Sequence, residues 1–338
     1  MADFDPVKLY EEGFVGARFD PAAYERFEDM ITRNGGNPRG NEVAMEWGFA
    51  SKGEGKLTLN FRVVEDIWGK SALPGPAQTR GDCVSHGCKN ACLYALSHEI
   101  MNREPDEATG KLEGKPEVSA VGVKAGVLST EAIYNFRNHR GDGWSCHDAA
   151  DMVCTRTGVV LRKDYSDQGG PNLERYSGSI AGRYYRSSPP PEKWQVIYKE
   201  HQVRQATNLK GRDQVRDFLA AANCGVFFCA GLGWSKTRDE NGYSRQRGSW
   251  SHSQCYAGYD DRPEIKKIYG EALVLIGNSW GSSWIKGPRK IHGTNIEIPQ
   301  GYYWAKSSLI SRTSPIAISS VNGWPIGKMP SYGAKGNI

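Results

Sequence analysis

Gly277-Asn278-Ser279-Trp280-Gly281 decides how this chain is read, because it closes a series of three reactive side chains in a telling order. Upstream of it runs Ser249-Trp250-Ser251-His252-Ser253-Gln254-Cys255-Tyr256-Ala257-Gly258-Tyr259-Asp260, and far upstream Gln78-Thr79-Arg80-Gly81-Asp82-Cys83-Val84-Ser85. A thiol nucleophile needs a base to take its proton, and the base needs a third group to fix its tautomer. Cys83, His252 and Asn278 supply the three. A lone cysteine on a helix is usually a core residue and a lone histidine in a strand usually structural. Their joint appearance is what points to chemistry.

The surroundings of each residue suit its part. From Cys83 to Met101, Val84, Cys88, Cys92, Ala95, Leu96 and Ile100 recur at three- and four-residue spacing, which predicts a helix beginning at Cys83. A helix N-terminus offers partial positive charge and free N–H groups, which favour a thiolate. His252 opens an apolar strand over Ser253–Tyr259, and Asn278 follows the next one, Ala272–Gly277.

At these residues the sequence resembles the papain-like cysteine peptidases, whose chain order is Gln, Cys, His, Asn with an Asn-Ser-Trp-Gly signature. The resemblance spans residues 70–310, and Thr130–Tyr165 and Trp284–Trp304 look like segments of bacterial and bacteriophage-encoded members. It implies an α+β, two-lobed fold, a helical lobe packed against a β-barrel-like antiparallel sheet lobe. It further implies Cys83 as nucleophile, His252 as base and acid, and Asn278 as the orienting group. Trp280 would shield the His–Asn hydrogen bond, and Gln78 with the Cys83 N–H would form the oxyanion hole. The substrate would be a peptide or protein, or a cell-wall peptide, and no cofactor or metal is expected. Three departures stand out. Gln78 lies five positions before Cys83 where the family has six, and Val84 replaces a tryptophan. Asp82 puts a carboxylate beside the thiol, which opposes thiolate formation unless Arg80 offsets it.

The bulk properties agree with a globular enzyme. The chain has 338 residues, 38% of them hydrophobic and 11% aromatic, and a mean hydropathy of −0.58. No apolar run approaches the length of a membrane span. The net charge of +5 is scattered, not blocked, so neither nucleic acid nor membrane is an expected partner. The start, Met1-Ala2-Asp3-Phe4-Asp5-Pro6, is acidic and lacks the apolar stretch of a secretory signal. That predicts a cytoplasmic protein, or a virion component if a phage encodes it. The eight cysteines are too sparse for a disulfide scaffold, and most are expected to be reduced core residues.

Four segments are expected. Residues 1–70 form an N-terminal extension with no catalytic motif, either a propeptide, a docking arm or an added layer. Within it Pro21–Thr32 reads as a helix capped by Asp20, and Leu57–Val64 alternates like a strand. Residues 71–190 form the helical lobe, with helices from Ser129 and over Ser145–Thr157 and a polar excursion at Glu104–Lys124. Residues 191–312 form the β-rich lobe: strands at Trp194–Ala206, Gly225–Ala230 and Tyr302–Ala305 accompany the two already named, with a helix at Arg212–Ala222. Residues 313–338, rich in Ser, Pro and Gly, read as an extended tail. The tail and the extension are the expected places for assembly partners.

Two other functions compete. Cys83, His86, Cys88 and Cys92 form C-x2-H-x-C-x3-C, but helical phase spreads these side chains around the axis, unlike a zinc site. The second rival is a papain-like shell that no longer cleaves and serves as a binding or assembly module, for example in a virion. A peptidoglycan-directed amidase or an acyltransferase would use the same Cys–His pair.

Overall fold

The computed structural model describes residues 16–18, 20–33, 51–102, 115–201, 203–220 and 224–321. In chain order they form α1 (Pro21–Arg33), β1 (Leu57–Thr58), α2 (Asn60–Trp68), α3 (Cys83–Met101), α4 (Ala120–Lys124), α5 (Glu131–Tyr134), α6 (Cys146–Thr155), α7 (Gly178–Arg183), α8 (Glu192–Ile197), β2 (Val203–Asn208), α9 (Gly211–Ala220), β3 (Gly225–Gly231), β4 (Ser251–Asp260), α10 (Pro263–Tyr269), β5 (Leu273–Gly277), β6 (Tyr303–Lys306) and β7 (Thr313–Val321). The class is α+β. Helices dominate the first half, and seven strands form one antiparallel sheet in the order β2-β7-β3-β4-β5-β6, with β1 pairing beside the end of β4.

The strands read as continuous apolar runs because both faces of the sheet are covered. Successive side chains point to opposite faces, and the core divides accordingly. Phe227, Cys255, Ala257, Leu273, Leu275, Trp304, Ile316 and Ile318 join the cluster that contains α3. Their neighbours Val226, Phe228, Tyr256, Tyr259, Val274, Ile276, Tyr303 and Ala317 join Val215, Phe218 and Leu219 of α9 on the other face. α3 is buried from Cys83 to Ile100, packed between α2 and strands β3, β4 and β7. Its approach to β4 is set at Gly87, where a β-carbon would stand 2.6 Å from Ser253 Oγ and 3.2 Å from the Gln254 carbonyl. Only glycine lets the second turn of α3 lie that close to the strand carrying His252.

Four expectations differ from the structure. Residues 57–64 are a strand only at Leu57–Thr58; from Asn60 they are helical, burying Phe61, Val63, Val64 and Ile67. Residues 194–206 divide into helix α8 and strand β2, the helix starting directly after Pro191. The polar excursion contains α4, whose Ser119 side chain accepts the Gly122 N–H at 3.1 Å; residues 103–114 lie outside the described residues. The tail begins as β7, which lies inside the sheet between β2 and β3; residues 322–338 lie outside the described residues.

Cys146, at the start of α6, and Cys229, on β3, form a disulfide with a Cα–Cα distance of 6.0 Å. It ties the helical side to the sheet. The other six cysteines are free, with Cys88 and Cys92 buried together in α3. Among the described residues no group of three His, Cys, Asp or Glu side chains could hold a metal ion, and no helix is long and apolar enough to cross a membrane.

Candidate active site

Cys83 is the first residue of α3 and is fully buried. The N–H groups of Ser253, Val84 and Cys83 itself point at its sulfur, so the thiol is held against the residue that follows His252. β5 ends at Gly277, paired with Cys255, so Asn278 emerges beside the part of β4 that carries His252. His252 Nε2 lies 2.7 Å from Asn278 Oδ1. An amide oxygen can only accept, so Nε2 carries the proton and Nδ1 is left without one. One point, the β-carbon position of residue 16, is 2.6 Å from Cys83 Sγ and 3.8 Å from His252 Nδ1.

Trp280 stacks on the His252 ring with centroids 4.5 Å apart and planes 25° from parallel. Trp250 and Trp284 pack against it in turn, so the His252–Asn278 bond lies under an aromatic lid. Asn278 Oδ1 also accepts the Ser279 N–H at 2.7 Å, which fixes the amide's orientation. Gly281 then turns the chain with φ of +77°, its α-carbon facing Ala77, a conformation that suits glycine.

Gln78 is buried against this motif. Its N–H donates to the Ser279 carbonyl at 2.8 Å, and its Oε1 accepts from Ser279 Oγ. Its Nε2 donates to the Arg80 carbonyl at 2.9 Å. That contact uses one of the two amide protons and leaves the other for a further acceptor. Arg80 makes no hydrogen bond to Asp82, though the two charges attract. It pairs with Asp142, Nε to Oδ1 at 3.0 Å, and donates through Nη1 to the Gly178 carbonyl. The Asp82 carboxylate instead accepts the Tyr176 hydroxyl at 2.9 Å.

A covering segment crosses the site, and nothing in the sequence singled it out. The Trp144 N–H donates to the Gly16 carbonyl at 3.1 Å, and the Arg18 N–H to the Trp144 carbonyl at 2.8 Å. On the sheet side the Ala17 N–H donates to the Ser251 carbonyl at 3.1 Å, and Ser251 Oγ donates to the Ala17 carbonyl. Residues 16–18 therefore bridge the helical side and the sheet directly over Cys83. α1 anchors them: Ala23, Phe27 and Met30 are buried, Arg26 Nη2 donates to Asp148 of α6 at 3.1 Å, and the Ala23 N–H donates to the capping Asp20 at 3.2 Å.

Under this cover burial favours the neutral form of both groups. Burial pushes the Cys83 thiol up to about 12, with the Asp82 charge adding to it and the three N–H groups opposing. Burial likewise pulls the His252 imidazole down to about 4, against the Asn278 hydrogen bond. Burial thus opposes a thiolate–imidazolium pair in the covered site.

No family description matches the sequence, and no curated protein matches it. Among solved structures the chain is similar to xylellain, a cysteine protease from Xylella fastidiosa, at 17% identity over 73% of this chain and 83% of that one, with a TM-score of 0.44. It is similar to the ragweed pollen allergen Amb a 11, a cysteine protease in its proform, at 15% identity over 79% and 65%, with a TM-score of 0.42. The bromelain protease of Ananas comosus matches at 13% identity over 72% and 93%, with a TM-score of 0.37.

Proposed function

We propose that the chain is a papain-like cysteine peptidase that hydrolyses peptide bonds through Cys83, His252 and Asn278, and that residues 16–18 hold it in a covered, resting state. The observation that carries this reading is the His252 geometry. The ring gives Nε2–H to Asn278, which leaves Nδ1 unprotonated, and Nδ1 lies 3.8 Å from a point that is 2.6 Å from the sulfur of a thiol at a helix start. Burial is the first cause of both the high thiol and the low imidazole, so lifting the cover favours proton transfer from Sγ to Nδ1. The thiolate attacks the substrate carbonyl carbon, and the oxyanion takes hydrogen bonds from the Cys83 N–H and the free Gln78 amide proton. Collapse of the tetrahedral intermediate breaks the C–N bond as His252 protonates the leaving amine, giving a thioester. Water, deprotonated by His252, then releases the acid and restores the thiol.

The second reading is a shell that binds or assembles without cleaving, and the covered thiol favours it. Turnover of casein against purified peptidoglycan, with Cys83→Ala as control, tests the enzyme and its substrate class together. Labelling of Cys83 by an electrophilic peptide epoxide separates the readings when neither substrate is turned over. A Cys83 that stays unlabelled in folded Gly16→Leu, where the cover is loosened, overturns the peptidase.

A further inference from the structure

Asp82 precedes the proposed nucleophile, is fully buried, and makes no capping bond to its own helix. One carboxylate oxygen takes the Tyr176 hydroxyl, while Oδ1 has no hydrogen-bond partner. One turn further along α3, His86 is also buried. Its Nε2 lies 3.7 Å from Asp82 Oδ2 and is without a hydrogen bond of its own. The Tyr176 ring meets the His86 ring edge-on at 5.2 Å and closes the pocket. Two ionisable groups thus face each other beside Cys83, each with an unused polar atom.

We propose that His86 is a positioning residue whose imidazolium balances the Asp82 carboxylate, so that Cys83 can lose its proton beside a neutral pair. It rests on Cys83 being the nucleophile. A buried carboxylate needs a counter-charge; the Arg80 and Arg137 charges both act on Asp82 from a distance, but the hydrogen bonds of both side chains go to other groups. Arg80 is paired with Asp142. Arg137 is held by the carbonyls of Tyr134, Tyr184 and Arg140. The Tyr134 hydroxyl donates to the Gly81 carbonyl at 3.0 Å, and on β4 His252 is bonded to Asn278. His86 remains, at the i, i+4 spacing that brings helix side chains together. The two charges act on the catalytic pair in opposite senses: that of Asp82 raises the Cys83 thiol, and that of His86 lowers the His252 imidazole.

The test is the pH dependence of Cys83 alkylation by chloroacetamide, read on the Cys83 peptide by mass spectrometry in wild type, Asp82→Asn, His86→Gln and the double variant. Alkylation reports thiol ionisation without turnover, so its outcome is independent of whether the chain proves to be a peptidase. Asp82→Asn should lower the alkylation midpoint by about one pH unit, about tenfold more thiolate at a given pH below the midpoint. His86→Gln should raise it by a similar amount, and the double variant should return close to wild type. Asp82→Ser makes the same comparison if Asp82→Asn does not fold. Shifts of the same sign, or no shift in either single variant, overturn the proposal, since a merely structural loosening has no reason to move the midpoint in opposite directions.

Discussion

Gly16 and Cys83 face each other so closely that a β-carbon on residue 16 would stand 2.6 Å from the sulfur and 2.9 Å from the Ser251 carbonyl oxygen. The backbone carbonyl cannot rotate away, so the fit of the covering segment depends on the absence of a side chain at this one position.

Gly16→Leu should therefore uncover the site. Overpacking of this kind costs about 1–3 kcal/mol, which shifts the covered-to-open balance on the order of tenfold. Peptide hydrolysis and Cys83 alkylation should both rise by that order, with little change in melting temperature. Rates equal to wild type would mean that residues 16–18 do not limit access to the thiol.

Asn278→Ala removes the acceptor at His252 Nε2 and frees the ring to turn under Trp280. Loss of kcat/KM on the order of 10²-fold is expected, the lower range of what a displaced acid–base catalyst loses. The change should fall mainly on kcat, because Asn278 lies behind the histidine and not in the substrate's path. Steady-state kinetics on one fluorogenic peptide check it.

Stability should fall as the solution is acidified from about pH 6.5 to about pH 4. Burial holds His98 down at about 3, and His147 and His252 at about 4, against an ordinary value of 6.5. In that window the unfolded chain binds more protons than the folded one, so the protonation equilibria favour unfolding as pH drops. Thermal melts across pH 4–8 should show the loss. His147→Gln should flatten part of it.

Cys146→Ser should lower stability by about 4.5 kcal/mol at most, the loop-closure value for a bridge spanning 83 residues. Dithiothreitol, added to keep Cys83 reduced, should lower the melting temperature of wild type and leave Cys146→Ser unaffected. Differential scanning fluorimetry with and without the reductant reads both.

The elements around the chemistry were legible because each rests on a local pattern. The three- and four-residue spacing from Cys83 to Met101 marks α3 to the residue, and the apolar runs before Asn278 and after His252 mark β5 and β4. Where the pattern satisfies two periods, tertiary packing decides. Leu57, Leu59, Phe61 and Val63 alternate like a strand, yet Phe61, Val64 and Trp68 also line one helical face, and burial against α3 selects the helix. Pro315 argues against an inner strand, but the register seats it opposite Phe228, with its carbonyl accepting the Leu209 N–H at 2.9 Å. The covering segment gave no signal, since its decisive residue is a glycine that acts by having no side chain. Arg80 looked like the natural counter-charge for Asp82 from proximity in sequence. Asp142, 62 residues on, claims it in space.

The disulfide between Cys146 and Cys229 has a consequence for motion. It rivets the helical side to the sheet, and α3 lies against β4 without even a methyl group between them at Gly87. In the proposed peptidase, such fastening opposes admitting a polypeptide by hinging the halves apart. What bars the proposed route is then a three-residue bolt, residues 16–18, hydrogen-bonded to Trp144 on one side and to Ser251 on the other.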